Sequence, residues 1–319
     1  MKILALVAAH MGSERRPGKV LADIGGKPLL WHVAERLQMA KAVRDVIITT
    51  TTEDRDTEVA EAAVAFGLKC YRGHPTDLVE QAAGAIRKYG QPDDLIFRAM
   101  SDQPFLDSRA LDTAASAMFA HSWDVLLPLS FGADPVYGAG LGPWSPRAWA
   151  WIESMSVGEG RRHPGMQLRR DLARFDYGLI DLPHWAYRPF RLEMDTDQDL
   201  RLANLVWARW MQSGRHDEPA LQWVVDLLDR NPEIAMVNSD IHEKTGPYTS
   251  FTRAEIAAWE KDYAGRRVLY SDFPTAVGLL ETNATKCQKC EGIMITTRLG
   301  SKRVKLKCIT CGAERTYRA

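Results

Sequence analysis

A basic segment that contains two glycines follows the first apolar run of the chain, Ile3–Ala8. It reads Ala9-His-Met-Gly-Ser-Glu-Arg-Arg-Pro-Gly-Lys19. Glycine lets a backbone approach an anion closely, and Arg15, Arg16 and Lys19 supply charges suited to phosphate oxygens. The segment therefore predicts a triphosphate site. It is not a P-loop, because five residues separate the glycines and a valine follows the lysine; a basic surface turn stays open as the alternative.

Two aspartates follow later segments that are predicted to be strands. Asp102 comes after Leu95–Met100, and Asp195 comes after Phe190–Met194. Open α/β sheets bind ligands at the carboxyl ends of their strands, and Mg²⁺ is usually held by one or two carboxylates together with substrate phosphates. We therefore expect Asp102 and Asp195 to hold a magnesium ion at this edge of a sheet.

Four of the five cysteines lie near the end of the sequence, with the spacing Cys-x2-Cys-x17-Cys-x2-Cys. They are Cys287, Cys290, Cys308 and Cys311. This spacing is typical of a four-cysteine zinc site, and the alternating residues of Ile293–Arg298 and Val304–Cys308 predict the hairpin of a zinc ribbon. A structural Zn²⁺ is expected because so short a segment cannot bury enough surface to fold alone.

Charge is distributed unevenly along the 319 residues, although the formal net charge is zero. Residues 286–319 contain nine Lys or Arg and two Glu, a local charge of +7, which leaves −7 on the rest. The apolar share of 45% and the charged share of 26% exclude a largely disordered or collagen-like chain. No apolar run reaches the roughly 18 residues of a membrane span, and the apolar start is too short for a signal peptide, so we expect a cytoplasmic protein without a membrane partner.

The elements that must position these residues alternate between strand and helix patterns, which predicts an α/β fold with a mostly parallel sheet. Strands are expected at Ile3–Ala8, Val46–Thr51, Leu68–Tyr71, Leu95–Met100, Val125–Leu129 and Phe190–Met194. Helical spacing is expected after Pro28, over Val59–Phe66, over Leu78–Tyr89 and after Ser108, the last as an N-cap. A further helix begins at Thr196 with Asp199 as its capping partner, and capping is also the expected role of Asp197.

Three regions follow from these patterns. Residues 1–212 are expected to form a nucleotide-binding domain, residues 213–280 a helical extension rather than a further sheet, and residues 281–319 the zinc ribbon. The stretch Ser130–Gly165 is rich in glycine and proline and predicts functional loops. Trp144, Trp149 and Trp151 are expected in a core or interface before a sugar platform.

Several ordered motifs resemble the cytidylyltransferases that activate sugar acids, most closely the branch named for spore-coat polysaccharide biosynthesis. They are Met11-Gly-Ser-Glu-Arg-Arg-Pro-Gly-Lys-Val-Leu21, Ile24-Gly-Gly-Lys-Pro-Leu-Leu30, Tyr71-Arg-Gly73, Ser101-Asp-Gln-Pro-Phe105, Met194-Asp-Thr-Asp-Gln-Asp-Leu200 and Asn231-Pro-Glu-Ile234. The resemblance implies a nucleotide-binding fold of the glycosyltransferase-A type and transfer of a nucleoside monophosphate from a triphosphate, with magnesium.

The resemblance also assigns residues. Arg15 and Lys19 would contact phosphates, Asp102 and Asp195 would hold Mg²⁺, and these four are the expected catalytic residues. The nucleotide-binding set would be Ala8, His10, Met11, Gly12, Ser13, Arg15, Lys19, Arg72 and Asp102. His10 stands where the family usually has arginine, which removes a permanent cation, and Arg16 is expected to supply the missing charge.

The sequence therefore predicts a magnesium-dependent nucleotidyltransferase that transfers CMP from CTP to a sugar acid or similar anionic acceptor and releases pyrophosphate. A glycosyltransferase of the same fold that uses a nucleotide-sugar is one alternative. The other is a catalytically lost nucleotide-binding domain that serves a zinc-ribbon adaptor for nucleic acid or protein. The expected partners are CTP and the acceptor; a homodimer, and contact of the basic ribbon with nucleic acid or protein, stay open.

Overall fold

The structure is a computed structural model that describes residues 2–128, 136, 142–166, 168, 171–215, 217–241, 267–269, 289, 294–300, 303–308, 311 and 313–318. Its strands are β1 (Ile3–Ala8), β2 (Asp23–Ile24), β3 (Lys27–Pro28), β4 (Val43–Thr51), β5 (Lys69–Gly73), β6 (Leu95–Met100), β7 (Val125–Pro128), β8 (Tyr177–Asp181), β9 (Arg267–Leu269), β10 (Met294–Gly300), β11 (Arg303–Cys308) and β12 (Glu314–Arg318). Its α-helices are α1 (Leu29–Met39), α2 (Thr57–Ala65), α3 (Leu78–Tyr89), α4 (Ser108–His121), α5 (Pro146–Met155), α6 (Glu159–Arg162), α7 (Asp197–Gln212), α8 (Leu221–Arg230) and α9 (Pro232–Ala235).

Parallel strands form the central sheet. Strands β5, β4, β1 and β6 are neighbours in that order, and β7, β8 and β9 form a second parallel group. Trp144 joins the two groups, because it forms antiparallel bridges to Ile96 of β6 and Val125 of β7. The predicted α/β class is therefore observed as a sheet that is parallel except at this single-residue bridge.

The unbroken apolar run of β1 is buried on both faces of the sheet. Ile3, Ala5 and Val7 pack into one core with residues of α1, α2, α4, α7 and α8, whereas Leu4 and Leu6 pack into a second core with residues of α3 and α5. Burial on both faces is the reason that the strand lacks the alternation of polar and apolar residues. Helices therefore cover both sides of the sheet.

The segment Phe190–Met194 is not a strand, contrary to the sequence prediction. Phe190, Leu192 and Met194 are buried, but the segment forms no strand ladder within the described residues. Instead the backbone N–H of Met194 donates to the carbonyl oxygen of Asp102 at 2.9 Å. The alternation of apolar and charged residues reflects burial of the apolar side chains, which a short sequence pattern cannot distinguish from strand formation.

Other boundaries also differ from the sequence analysis. Asp107, not Ser108, caps α4, because its side chain accepts the backbone N–H of Arg109. The expectation of a purely helical extension over residues 213–280 is wrong at β9, which pairs in parallel with β8. Leu129, most of the loop-rich stretch before residue 142 and residues 242–266 of the expected helical extension lie outside the described residues.

Near the end of the chain, β10 pairs with β11 and β11 with β12, in both cases antiparallel. The predicted hairpin is therefore observed, together with a third strand that the sequence analysis does not include. Cys308 ends β11 and Cys311 follows it, while Cys287 and Cys290 lie outside the described residues. Across the described ranges, no helix combines the length and hydrophobicity needed to cross a membrane.

The hairpin of β2 and β3 packs on α7, and its turn allows a test of how tight that packing is. Gly25 and Gly26 both have positive φ, 58° and 90°, but only Gly25 lies against Trp207, where an added Cβ would approach the ring to 2.2 Å. We expect Gly26→Ala to cost about 1 kcal/mol of backbone strain and Gly25→Ala about 2–4 kcal/mol, because overpacking adds to the strain. Urea denaturation of both variants measures the difference, and equal losses would contradict the packing argument.

Candidate active site

Four charged side chains from distant parts of the chain meet at the carboxyl end of the sheet. The Nζ of Lys19 lies 2.8 Å from Oδ2 of Asp102 and 2.8 Å from Oδ1 of Asp195. Arg15 places Nη2 2.5 Å from Oδ2 of the same Asp195. These are the four residues expected to be catalytic from the sequence, and the fold brings all four together.

The loop after β1 is closed on itself before it reaches the cluster. The backbone N–H of Gly18 donates to the carbonyl oxygen of Met11 at 2.9 Å, and Gly18 has a φ of 72°, a conformation that glycine adopts without strain. Lys19 then begins a short 3-10 turn, Lys19–Leu21, in which Val20 is buried in the core. Anchoring of this turn directs the lysine side chain towards the carboxylates.

A second anchor holds the start of the same loop. Asp56, which is fully buried, accepts the backbone N–H of Met11 at 2.6 Å and the hydroxyl of Thr51. Next to it, the guanidinium of Arg55 lies against Gly12, where an added Cβ would approach Cζ to 2.9 Å. Glycine at position 12 therefore leaves room for a cation, rather than only for the approach of a ligand to the backbone.

Asp195 is held by a further set of buried groups. Arg191 places Nη2 2.5 Å from Oδ2 of Asp195 and Nε 3.1 Å from Oδ1 of Asp199. Asp199 forms a capping box with Thr196, which confirms the expected cap, and its Oδ2 also accepts the backbone N–H of Asp195 at 3.0 Å. Asn238 donates to Asp199 at 2.8 Å and to the carbonyl oxygen of Arg191 at 3.1 Å. The segment after α9 thus holds Arg191 and Asp199 in place beside Asp195.

Both partners of the central ion pair remain charged at neutral pH. Burial alone would raise the pKa of Asp195, but Lys19, Arg15 and Arg191 outweigh it and the pKa is lowered. Burial would likewise lower the pKa of Lys19, but the charges of Asp102 and Asp195 outweigh it and the pKa is raised. The cluster is therefore a network of ions rather than of neutral hydrogen-bonding groups.

His10 does not replace the charge of the arginine that the resemblance leads us to expect. Burial, together with the charges of Lys19 and Arg55, lowers its pKa below the ordinary value, against the opposing charges of Asp56 and Asp102. At neutral pH the imidazole is therefore neutral. The Nε of Arg16 lies 2.9 Å from Oδ1 of Asp197 at the exposed rim, so this side chain is paired with a carboxylate outside the cluster.

The remaining predicted nucleotide-binding residues divide into two groups. One group follows the end of β1 along the loop and consists of Ala8, His10, Met11, Gly12 and Ser13. Arg72 lies elsewhere, on β5, where its Nε and Nη2 donate to the carbonyl oxygens of Thr51 and Glu53 at 3.0 and 2.9 Å. Its observed contacts hold the end of β4 and do not join the cluster.

Sequence reasoning misses three residues that the fold adds to the site: Arg55, Arg191 and Asn238. Arg191 could have been found, because an arginine between two apolar residues, four positions before Asp195, requires a partner. Arg55 and Asn238 carry no such local signal. They reach the site only through the packing of the segment after β4 and of the segment after α9.

The donor set fits a magnesium ion at Asp102 better than at Asp195. Oδ1 of Asp102 is buried and has no hydrogen-bond partner in the described residues, so it offers an unused anionic oxygen. Both oxygens of Asp195 are already bound by Lys19, Arg15 and Arg191. The described residues contain no group of three or more His, Cys, Asp or Glu side chains that could hold a metal ion.

Known proteins resemble this chain over different lengths, and a family match covers three of the four expected catalytic residues. Residues 4–130 match the cytidylyltransferase family. This stretch holds Arg15, Lys19 and Asp102 but not Asp195. An uncharacterized protein of Methanocaldococcus jannaschii is 24% identical over 258 residues, which is 77% of this chain and 98% of that protein.

Relatives with named activities cover less. The 8-amino-3,8-dideoxy-manno-octulosonate cytidylyltransferase of Shewanella woodyi is 35% identical over 127 residues, 38% of this chain and 49% of that enzyme. The 3-deoxy-manno-octulosonate cytidylyltransferase of Anaeromyxobacter dehalogenans is 33% identical over 118 residues, which is 37% of this chain and 48% of that enzyme. The chain thus spans about half the length of these cytidylyltransferases. The matches support the predicted enzyme class, nucleotidyltransferase, while the narrower resemblance to the spore-coat branch stays a prediction.

Solved structures confirm the fold. A cytidylyltransferase from Leptospira borgpetersenii superposes with a TM-score of 0.67 at 24% identity, over 76% of this chain and 100% of that one. A CMP:2-keto-3-deoxy-manno-octonic acid synthetase, solved with CTP, superposes with a TM-score of 0.50 at 19% identity. The superposition covers 67% of this chain and 100% of that one. The parallel sheet flanked by helices is therefore that of nucleotidyltransferases.

The lowered pKa of Asp195 predicts how the site contributes to stability. The ionised carboxylate stabilises the folded state above its unfolded pKa, near 3.9, and this contribution is lost as the pH falls through the lower folded value. We expect Asp195→Asn to lower the free energy of unfolding by about 3 kcal/mol at pH 7, since three cations lose their buried partner.

Urea denaturation between pH 7 and pH 3 measures this effect. The difference between wild type and Asp195→Asn should be constant from pH 7 to about 5 and shrink below about 4. Asp197→Asn is the matched control, because that side chain is 87% exposed and should change stability by less than about 1 kcal/mol. A difference that persists unchanged at pH 3 would refute the assignment.

Proposed function

We propose that this protein is a magnesium-dependent cytidylyltransferase that transfers CMP from CTP to a sugar acid and releases pyrophosphate. The observation that carries the proposal is the meeting of Arg15 and Lys19 with Asp102 and Asp195 at the carboxyl end of the parallel sheet. The relatives named as octulosonate cytidylyltransferases supply the nucleotide and the acceptor class.

Arg15 and Lys19 would neutralise the triphosphate and hold it in line for displacement. The acceptor hydroxyl oxygen attacks the α-phosphorus, the bond from that phosphorus to the bridging oxygen breaks, pyrophosphate leaves, and the hydroxyl proton passes to solvent. No covalent intermediate with the protein is required. Catalysis then depends on alignment and charge neutralisation, the usual requirements of phosphoryl and nucleotidyl transfer.

Asp102 is the residue best suited to hold Mg²⁺, through its unpartnered Oδ1. Asp195 could join it only when Lys19 or Arg15 turns to the phosphates, because both of its oxygens are paired with cations. A bound magnesium ion supplies positive charge next to the phosphates and so lowers the cost of charge build-up in the transition state.

A pyrophosphate-release screen tests the function. The full-length protein is incubated with each of the four nucleoside triphosphates and a panel of sugar acids, with 3-deoxy-manno-octulosonate among them, in magnesium and in EDTA. We expect release with CTP and magnesium only. In a parallel incubation with a nucleotide-sugar, turnover without pyrophosphate would favour the glycosyltransferase alternative. No pyrophosphate release with any pair in the screen would reject the proposal.

Asp102→Asn tests the metal site separately. We expect magnesium-dependent turnover to fall by about 100-fold or more, because a metal ligand supplies several kcal/mol of charge stabilisation. The variant should still unfold cooperatively. Asp93→Asn, an exposed aspartate before β6, is the control and should keep wild-type turnover. Near-normal kcat in a folded Asp102→Asn protein would overturn the assignment.

For the ribbon we propose a structural Zn²⁺ held by Cys287, Cys290, Cys308 and Cys311, on the basis of their spacing. Elemental analysis of the full-length protein should find one zinc per chain. Cys311→Ser should lose the metal, whereas Cys70→Ser, the remaining cysteine of the sequence, should retain it. Absence of zinc under reducing conditions, with all thiols reactive to a probe, would refute this prediction.

A further inference from the structure

Arg98 is a charged residue within the central sheet that the proposed reaction leaves without a role. It lies in β6 opposite Leu6 of β1 and is only partly exposed. In the part of the chain that the structure describes, its guanidinium forms no hydrogen bond and no ion pair. Burial lowers its pKa to about 10, against the charge of Asp102. An unpaired charge in such surroundings is costly, and an anionic ligand would reduce that cost.

The alternation along β6 identifies the face on which Arg98 lies. Phe97 and Ala99 pack into the core shared with α1 and α4, and Ile96 packs into the core shared with α3 and α5. Because neighbouring side chains of a strand point to opposite faces, Arg98 lies on the same face as Ile96 and Met100. Met100 ends the strand and is 39% exposed, so this face opens to solvent at the carboxyl end of β6.

Two further residues, Trp144 and His163, are connected to this part of β6. Trp144 exchanges two backbone hydrogen bonds with Ile96, both 2.8 Å long, and it packs partly buried into the same core. The turn after α6 rests on Trp144, because a Cβ added to Gly165 would lie 2.5 Å from the indole ring. His163 in that turn is 53% exposed, and the charge of Arg98 helps lower its pKa.

Arg98 is also close to the reacting groups. Asp102 lies four positions further along the chain, so the two Cα atoms are at most about 13 Å apart. The charge of Asp102 acts on Arg98, as stated above. A small acceptor bound at Arg98 could therefore extend to the phosphates held beside Asp102, whereas Arg15 and Lys19 are already committed to carboxylates.

We propose that Arg98 binds the carboxylate of the sugar-acid acceptor, with Trp144 and His163 lining the same subsite. This inference rests on the proposed function and adds a specificity residue to it. A guanidinium offers two parallel N–H donors to a carboxylate, a geometry that a lysine cannot match. The indole of Trp144 offers apolar surface for the sugar ring, a role that the sequence analysis ranked second for the tryptophans.

The binding test uses the full-length protein and isothermal titration with 3-deoxy-manno-octulosonate, its methyl ester, glucose 6-phosphate and, separately, CTP. We expect Arg98→Gln to weaken binding of the sugar acid by about 10- to 100-fold, the usual effect of losing a charge-assisted pair. CTP affinity should change by less than about 2-fold. Arg98→Lys should recover part of the loss, and the methyl ester should bind wild type as weakly as the acid binds Arg98→Gln.

Arg87→Gln is the matched control, because this arginine on α3 is 61% exposed and pairs with Glu153 at the surface. It should bind the sugar acid as wild type does. Unchanged sugar-acid binding by Arg98→Gln, equal loss in Arg87→Gln, or no binding by wild type would overturn the proposal. Equal binding of glucose 6-phosphate would overturn the assignment to a carboxylate.

A second measurement needs no ligand. If Arg98 is unpaired in the free protein, Arg98→Met should leave the urea midpoint unchanged or raise it, since an uncompensated charge is removed. A lowered midpoint would show a structural partner and overturn the proposal. Failure of this inference and failure of the proposed function give different results. If the protein releases pyrophosphate and Arg98→Gln binds the sugar acid as wild type does, only this inference is rejected. If the sugar acid binds in a way that depends on Arg98 but no pyrophosphate is released, only the proposed function is rejected.

Discussion

The carboxylate of Asp195, shared among Lys19, Arg15 and Arg191, is the interaction on which the site depends. A buried ion is tolerated only when its partners repay the loss of hydration, and here three cations face one carboxylate, with Asp102 and Asp199 balancing the excess. The constraint explains why distant elements converge. The loop after β1 contributes both Arg15 and Lys19, and the turn after β6, the start of α7 and the segment after α9 contribute Asp102, Asp199 and Asn238. Displacement of any one group would leave another charge without its partner.

The pairing of these cations with carboxylates would also affect the free energy of binding a nucleotide. In the proposed reaction a triphosphate would not meet free cations, because Lys19 and Arg15 are already paired with carboxylates. The phosphates would have to exchange with those carboxylates, so the net gain would be smaller than the sum of the new contacts. The exchange has a structural advantage, since side chains held in place by Asp195 lose little additional freedom when they turn to a phosphate.

How much of this the sequence could predict depends on how local each signal is. Arg15, Lys19 and Asp102 were predictable because each lies in a short motif next to a recognisable strand. Asp195 was predicted for a partly wrong reason, because the run before it is buried but is not a strand. Asn238 was not predictable, since its role comes from a contact across 47 residues that only packing creates. Arg98 could have been noticed, because it interrupts an apolar run that is buried on both faces.

Asp102 links the two halves of the proposed chemistry. In the described part of the chain, its Oδ2 is bound by Lys19 and its Oδ1 has no hydrogen-bond partner. If Lys19 turns to a phosphate, a buried carboxylate is left facing both the triphosphate and, on the other side, the carboxylate that Arg98 would hold. Three neighbouring anionic groups would then repel one another, and Arg98 alone cannot compensate for them. A divalent cation at the free oxygen of Asp102 resolves this conflict, which is the physical reason to expect that nucleotide and magnesium bind together.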